Sequence, residues 1–178
     1  SANEGDSRDY DGFSEEERVD DLNLDETIYD LDNDFQNKIN LGRLKTTSTL
    51  GDTDNDGDVD QIYSYGARSF SVWSSTGSLL YDSGNSIASE TLSATAARFN
   101  DGDKRSDDKG AEPEAVEILN IGNERYILFV GLERNDQVMV YDITNPISPK
   151  FITILSHSGD EAPEGLLVIP AADSPNGK

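Results

Sequence analysis

The stretch "AVEILNIGNERYILFVGLERNDQVMVYDITNPISPKFITILS", residues 115–156, decides the fold. It holds four short runs rich in β-branched and aromatic residues, at 115–121, 125–132, 137–143 and 150–156. Such runs favour strands, and the segments GNE, ERND and TNPISP between them have the composition of turns. Four consecutive antiparallel strands within ~40–50 residues are typical of one β-propeller blade. The sequence therefore predicts an all-β protein, part of a β-propeller of four-stranded antiparallel blades, with a complete blade at 112–157.

A weak internal repeat supports this architecture. "EPEAVEILN" (112–120) resembles "APEGLLVIP" (162–170), and the opening "ANEGD" resembles "GLERND" within the blade. The repeat predicts the end of a preceding blade at 1–12 and the start of the next at 158–178. A propeller hides its sheet edges only when it closes. We therefore expect the remaining blades to come from the same chain or from other chains.

The repeat also brings four acidic residues into equivalent positions: Glu4, Glu114, Glu133 and Glu164. They can ring a site and bind a cation, or they can accept backbone N–H bonds where strands begin or end. Polar residues that recur within one sequence often serve the architecture of the repeat, which favours the second interpretation.

Residues 13–42 predict an acidic helical insertion. Within "SEEERVDDL", Ser14 and Glu17 have the spacing of a capping box. Leu31, Phe35 and Ile39 recur at the spacing of a helix face, and Gly42 is placed to end that helix.

From residue 43 the pattern changes to a period of two. The runs RLKTTSTL, QIYSYG, SFSVWSS and SLLYDSG predict strands of a further blade at 43–83, with Thr76-Gly77 as a tight hairpin turn. Residues 84–111 are polar and charged. They predict a surface excursion with a short helix near 88–99.

The segment "GDTDNDGDVDQ" (51–61) carries an aspartate at every second position. Hard oxygen ligands at alternate positions, with Gly57 allowing a sharp turn, let a short loop wrap one Ca²⁺. The predicted metal ligands are Asp52, Asp54, Asp56, Asp58 and Asp60, with Asp58 contributing its backbone carbonyl. A divalent cation would offset the repulsion between these carboxylates and make folding of the loop metal-dependent.

Two alternatives to this calcium loop are disfavoured. An EF-hand would place a bidentate Glu at the position occupied by Tyr63, and it would be flanked by helices rather than strand-like runs. Mg²⁺ keeps several waters and demands stricter octahedral geometry. The pattern looks like the calcium loops between neighbouring strands of integrin-type propeller repeats.

Composition limits the partners. The chain of 178 residues has 36 acidic against 14 basic residues and a formal net charge of −22, which disfavours nucleic acid and anionic membranes. It has no cysteine and one histidine, His157, so thiolate sites and a Ser-His-Asp triad within this chain are not expected. No run approaches the roughly 18 apolar residues of a membrane span, and "SANEGDSRDY" lacks the features of a signal peptide.

Several long segments resemble one family. They are "ANEGDSRDYDGFSEE", "NLGRLKTTSTLGDTDNDGDVDQIYSYGARSFSVW", "EPEAVEI", "YILFVGLERNDQVMVYDITNP" and "EAPEGLLVIPAADSPNGK". They are similar to the choice-of-anchor I family of bacterial surface proteins, which is related to animal mesenchyme-specific cell-surface glycoproteins. The resemblance implies an exported β-propeller with varied C-terminal anchors. It also implies an alternative, a metal-dependent phosphoester hydrolase or its accessory propeller, because some relatives carry phosphatase-like names.

The weaker candidate sites each have a plain structural interpretation. The residues Asp101, Asp103, Asp107 and Asp108 can hold a second cation, but the neighbouring basic residues favour a solvated loop of mixed charge. Asp6, Asp9 and Asp11 form a similar, sparser group.

A lone His157 beside SGDE favours a surface residue over a base. Trp73 alternates with Phe70 and Val72, which favours packing, although Trp73 and Tyr65 are the first candidates for a glycan contact.

These observations predict an extracellular, calcium-binding propeller segment of a cell-surface or matrix protein with a structural or binding role. The expected partners are calcium ions, the remaining blades or other protein chains, and a glycan or other surface ligand. No arrangement of residues in the sequence identifies a reaction.

Overall fold

The computed structural model describes residues 1–29 and 34–177. The protein is mostly β and divides into two compact units. The first, called the sheet unit, comprises Ser1–Glu4, Ala67–Asp103 and Ala111–Lys178. The second, called the loop unit, comprises Gly5–Gly66 and Lys104–Gly110.

The strands, in chain order, are β1 (Ala2–Asn3), β2 (Asp9–Tyr10), β3 (Phe13–Ser14), β4 (Glu16–Arg18), β5 (Lys45–Thr47), β6 (Ser69–Trp73), β7 (Leu79–Asp82), β8 (Pro113–Gly122), β9 (Arg125–Leu132), β10 (Gln137–Asp142) and β11 (Lys150–Leu155). The helix α1 (Ser86–Thr95) continues into a 3₁₀ turn at Ala96–Arg98, and further 3₁₀ turns lie at Val19–Asp21 and Glu133–Asn135.

The largest sheet has four antiparallel strands in the order β11-β10-β9-β8. Each strand pairs with its neighbour in sequence, as the four apolar runs and their intervening turns predict. The link from β9 to β10 is a 3₁₀ turn that ends at Asp136, whose φ of 52° is left-handed. The prediction of four consecutive antiparallel strands at 112–157 is confirmed.

One face of this sheet forms the main core. The register places Val116, Val130, Met139 and Ile154 in one cross-strand row. Val130 and Met139 are fully buried. Because side chains on a strand alternate between faces, this row packs on one side, while the other face carries apolar residues of mixed exposure, from the buried Val140 to the half-exposed Leu155. Ile87 of α1 joins the same core, and the helix predicted near 88–99 is confirmed.

A second, three-stranded sheet has the order β1-β6-β7. Its β6–β7 hairpin confirms the turn predicted at Thr76-Gly77, although the connection spans 74–78 rather than two residues. Gly77 adopts a left-handed φ of 79° there, and its N–H donates to the Ser74 carbonyl at 3.0 Å. The amino-terminal strand β1 pairs with β6, so Ala2 lies opposite Phe70.

The loop unit is built on two small antiparallel pairs, β2–β3 and β4–β5. Its core consists of Val19, Leu22 and Leu24, with Val59 and Ile62 packed against it. The unit is small, so a short apolar cluster and many hydrogen bonds hold it together.

The helix predicted from the Ser14–Glu17 capping box is wrong. Residues 16–18 form β4 and pair with β5, and Val19–Asp21 is a single 3₁₀ turn. The Ser14 hydroxyl accepts a hydrogen bond from the N–H of Glu16 at 3.4 Å, not from that of Glu17. Strand pairing satisfies the backbone that a helix would have satisfied internally, so tertiary contacts override the local signal.

The second predicted helix is also wrong over the residues that the structure describes. Residues 34–42 form successive turns, in which Gly42 N–H donates to the Asn37 carbonyl at 3.0 Å. Phe35 packs against the core of the loop unit, whereas Ile39 is exposed. Leu31, the first residue of the predicted helix face, lies outside the described residues.

Two predicted strands are absent from the described residues. QIYSYG (61–66) contributes only an isolated bridge between Ser64 and Thr46. Residues 158–177, expected to start a further blade, contain no strand. A strand forms when a neighbouring chain satisfies its N–H and C=O groups, and neither segment has a paired neighbour along its length. The sheets alone do not make a propeller, which stays a prediction together with the domain limits.

Candidate metal centre

The aspartate-rich loop is closed at its base by backbone hydrogen bonds. The Gly51 carbonyl accepts from the N–H groups of Asp60, at 2.9 Å, and Gln61, at 3.1 Å. Gly51 has a φ of 119°, and a Cβ there would lie 2.5 Å from the Gln61 carbonyl oxygen. The close approach of the two ends of the loop therefore requires glycine at this position.

Within the loop, aspartate carboxylates accept hydrogen bonds from backbone N–H groups and so stabilise tight turns. Asp52 accepts from the N–H groups of Asn55, at 2.6 Å, and Gly57, at 3.1 Å. Asp54 and Asp56 each accept from the N–H two residues further on, at 3.3 and 3.2 Å. Short polar side chains that bond to nearby backbone stabilise such turns. The alternating aspartates thus stabilise the turns of the loop, in addition to offering oxygen atoms that could bind a metal ion.

Pairing with an earlier segment fixes the loop against the core. Leu24 and Val59 form a parallel bridge. Val59 N–H donates to the Asn23 carbonyl at 2.8 Å, and Asp25 N–H donates to the Val59 carbonyl at 3.2 Å. This pairing brings the Asp25 side chain beside the loop.

Two groups of carboxylates result, and they share one member. Asp52, Asp54 and Asp60 form the first group, and Asp25, Asp58 and Asp60 form the second. In each group, one oxygen from every residue lies within 4.8 Å of those from the other two. Asp60 is buried, Asp25 and Asp58 are half-buried, and Asp52 and Asp54 are exposed. These acidic clusters can bind a metal ion.

The electrostatics of the loop are those of crowded like charges. Burial, followed by the charges of Asp56 and Asp25, raises the pKa of Asp58 to about 6. Burial and the neighbouring carboxylates also raise the pKa of Asp54. Asp60 is the exception, because hydrogen bonds from Thr53 lower its pKa. A bound cation would offset the charge repulsion that, after burial, contributes to the raised pKa values of Asp58 and Asp54.

One atom of the cluster has an unmet bonding requirement. Asp58 Oδ1 is buried and accepts no hydrogen bond from the residues that the structure describes. A buried carboxylate oxygen without a donor costs free energy unless a cation or water satisfies it. The donor set is made entirely of carboxylate oxygens, the ligands that hard divalent cations such as Ca²⁺ prefer. The residues present therefore fit such an ion.

The structure brings together four of the five predicted ligand residues. Asp56 is in neither of the two groups found among the described residues, and Asp58 enters through its side chain. Asp25 was missed by the sequence reasoning because it lies far from the loop along the chain. The position of Asp25 beside the loop becomes evident only in the folded chain, where Leu24 pairs with Val59.

The other acidic candidates are engaged differently. Asp107 pairs with Arg18 at 3.2 Å and with Arg43 at 2.7 Å. Asp108 pairs with Lys45 at 3.3 Å and with Arg105 at 2.7 Å. These ion pairs favour the mixed-charge interpretation over a cation site, but Asp108 is buried rather than solvated.

The recurrent glutamates do not share one environment. Glu133 is buried and pairs with Arg134 at 2.8 Å, whereas Glu164 is exposed. Burial and the neighbouring Glu112 raise the pKa of Glu133. His157 is highly exposed, as expected of a surface residue.

The two glycan candidates lie in different units. Trp73 is half exposed in the sheet unit, and its indole N–H donates to the Ser1 hydroxyl at 3.1 Å. Tyr65 is buried in the loop unit, and its hydroxyl donates to backbone carbonyls of Glu15 and Thr46.

Comparison with known proteins places this geometry in context. A sequence model of the Choice-of-anchor I domain matches residues 1–146. Gigasin-3a of Magallana gigas is similar over an alignment of 171 positions, with 30% identity. That alignment covers 78% of this chain and 58% of the relative, so the chain spans a little over half of its length. No solved structure matches the chain. Among the described residues, no helix is both long and apolar enough to cross a membrane.

Proposed function

The chain belongs to the Choice-of-anchor I family, and from that premise we propose that it is a calcium-stabilised segment of an exported cell-surface or matrix protein. Its role on this proposal is structural: an ion fixes the aspartate loop and the segment that pairs with it. The observation that carries the proposal is the pair of carboxylate groups that share Asp60, with Asp58 Oδ1 buried beside them.

The position of Asp25 suggests how the ion would act. Asp25 follows the segment that forms the core of the loop unit, and Asp58 and Asp60 belong to the aspartate loop. An ion held by all three would cross-link two segments that are distant in sequence. Because such an ion binds the folded loop and not the unfolded chain, its binding free energy adds to the stability of the fold.

Calcium is favoured over magnesium by the ligand set. The two groups offer up to five carboxylates, flanked by turn backbone, and Ca²⁺ accepts six to eight oxygens in flexible geometry. Mg²⁺ keeps most of its waters and is bound by one or two carboxylates. Calcium is abundant outside cells, in keeping with the surface location that the family name suggests.

We further propose that the four-stranded sheet is one blade of a β-propeller completed by residues or chains beyond those described. The sheet has the strand number and the sequential antiparallel order of a blade. On its outer face Leu155 is half exposed, and Leu167 and Ile169 of the following segment are also exposed. A further blade packed on that face would bury these side chains.

Isothermal titration with Ca²⁺ and Mg²⁺ tests the metal proposal. Calcium binding is expected for the parent protein and is weakened by at least about tenfold in Asp25→Asn and Asp54→Asn, since each loses one charged ligand. Asp11→Asn is the matched control, because it removes an exposed carboxylate of the same unit that belongs to neither group. Absence of binding, or equal binding in all four proteins, would refute the proposal.

A further inference from the structure

The loop unit contains a second feature suited to a ligand, a cavity of about 500 Å³. This volume falls within the range of roughly 300–1,000 Å³ for small-molecule sites. Most of the residues lining it are polar or aromatic, among them Arg8, Glu15, Thr47, Thr49, Tyr63 and Ser64. None of them belongs to the two carboxylate groups, so the cavity stands apart from the proposed calcium site.

The floor of the cavity is a rigid hydrogen-bond network centred on Glu15. Glu15 Oε2 accepts from Arg8 Nε at 3.0 Å and Nη2 at 2.7 Å, and from the hydroxyls of Thr47 at 3.3 Å and Thr49 at 3.2 Å. Arg8 Nη2 also donates to the Thr49 hydroxyl at 3.1 Å. Groups fixed in this way are pre-organised and lose little conformational entropy when a ligand binds.

Charge in the cavity is nearly balanced. The guanidinium of Arg8 and the carboxylate of Glu15 neutralise one another, and the exposed Asp6 lies 3.7 Å from Lys109. A chain of formal net charge −22 repels an acidic ligand, and Arg8 is already paired. An apolar ligand would strip water from the hydroxyls without replacing their hydrogen bonds. A neutral ligand rich in hydroxyl groups avoids both costs.

Aromatic rings surround this polar floor. Tyr63 is 42% exposed at the cavity, and Tyr65 forms part of the wall. Next to the cavity, Tyr10 and Phe13 are exposed and stacked with ring centroids 6.5 Å apart, and the Arg8 guanidinium lies 5.6 Å from the Phe13 ring. Exposed rings beside fixed hydrogen-bonding groups offer a flat apolar surface to the C–H face of a sugar ring.

From these observations we propose that the cavity is a binding site for a neutral saccharide, which stacks on Tyr63 and hydrogen-bonds to Arg8, Thr49 and Ser64. Thr47 is the last residue of β5 and Thr49 follows in a bend, and their hydroxyls lie 2.9 Å apart. The adjacent hydroxyls of Thr47 and Thr49 and the guanidinium of Arg8 can form hydrogen bonds with two neighbouring hydroxyl groups of a sugar. Neither the family match nor the relative assigns a ligand to these residues.

The test is a panel of neutral oligosaccharides with their sulfated and sialylated counterparts, followed by titration of the best-binding neutral oligosaccharide. Tyr63→Ala is expected to weaken that binding about tenfold through the loss of the stacking surface. Tyr126→Ala is the matched control, because Tyr126 is 39% exposed, belongs to β9 of the sheet unit and does not line the cavity. It is expected to bind as the parent does.

A second variant separates binding from folding. Ser64→Ala removes one exposed hydroxyl from the cavity and leaves the Glu15 network intact, so it is expected to weaken binding without lowering the melting temperature. The proposal is overturned if no neutral oligosaccharide binds at millimolar concentration, if acidic members of the panel bind better, or if both cavity variants bind as well as the parent.

Discussion

Thr53 donates both its backbone N–H and its hydroxyl to one carboxylate oxygen, Asp60 Oδ2, at 2.6 Å each. Asp60 is therefore held in place by the protein itself, and its carboxylate closes the loop with or without an ion. Within the part of the chain that the structure describes, the other members of the two groups accept no hydrogen bond from a side-chain hydroxyl. On the proposed calcium role, Asp60 therefore stabilises the fold with or without an ion, whereas the other four residues would act chiefly as ligands.

The first prediction follows from this contact. Asp60→Ala removes two hydrogen bonds to a charged, buried acceptor, and it is expected to lower the free energy of unfolding by about 1–3 kcal/mol in EDTA. Chemical denaturation in EDTA measures this change. Asp11→Ala, in an exposed turn of the same unit, is the control and is expected to have little effect. Equal stability of Asp60→Ala and the parent in EDTA would show that Asp60 has no role beyond the ion.

Asp54 is expected to behave in the opposite way. Because burial and the neighbouring carboxylates raise its pKa, the ionised form of Asp54 is less stable in the folded protein than in the unfolded chain. Asp54→Asn is therefore expected to raise the melting temperature slightly in EDTA and to lower it in millimolar calcium, where the carboxylate is a ligand. Thermal unfolding under both conditions measures this crossover. A change of the same sign in both conditions would contradict the assignment of Asp54 as a ligand.

Two of the exposed aspartates of the loop, Asp54 and Asp56, are expected to differ in the same assay. Asp56 was expected from the sequence to be a ligand, yet it lies in neither carboxylate group of the described residues. Asp56→Ala is therefore expected to retain most of the calcium-dependent rise in melting temperature, whereas Asp54→Ala is expected to lose most of it. Melting temperatures of the two variants across a series of calcium concentrations test whether Asp56 is a ligand, as the sequence spacing predicts, or is not, as the carboxylate groups indicate.

The Arg8–Glu15 ion pair predicts a pH dependence. Hydrogen bonds from Arg8 lower the pKa of Glu15 to about 2, below its ordinary value of 4.5. A carboxyl group with a depressed pKa in the folded state stabilises the protein above its unfolded pKa. That contribution is lost as pH falls from about 4.5 to about 2. Glu15→Gln is thus expected to reduce stability at pH 7 and to flatten the loss of stability in that window. Parallel curves for both proteins would contradict this role.

The core of the sheet unit gives a prediction that is independent of metal. Phe70 is 1% exposed and contacts Tyr141 edge-on with ring centroids 4.8 Å apart. Phe70→Ala is expected to cost about 3–5 kcal/mol, the range for removing a buried aromatic ring. Leu79→Ala, half exposed on the neighbouring strand, is the control and is expected to stay within about 0.5 kcal/mol. Denaturant titration of the three proteins distinguishes the two sites.

The sequence predicts the parts of the fold that depend on local signals. The runs that become β8 to β11 are apolar, β-branched and separated by clear turn residues, and all four strands form in sequence order. The loop aspartates are also recognisable, because their regular spacing and the one glycine between them, Gly57, lie within a single short segment.

The failures have a common physical cause. The Ser14–Glu17 spacing favours a helix locally, but pairing of Glu16–Arg18 with β5 offers backbone hydrogen bonds from a segment far along the chain. Asp25 is missed for the same reason, since only the pairing of Leu24 with Val59 brings it to the loop. Contacts between distant segments are not encoded in any short pattern.

The most direct test of the central claim is thermal unfolding of the parent protein in EDTA, in millimolar Ca²⁺ and in millimolar Mg²⁺. The account predicts a large rise in melting temperature with calcium, a much smaller one with magnesium, and loss of the calcium effect in Asp25→Asn, because Asp25 joins the loop only in the folded chain. Identical melting in all three solutions would contradict it, and the aspartate loop would then be an acidic turn held by its own hydrogen bonds.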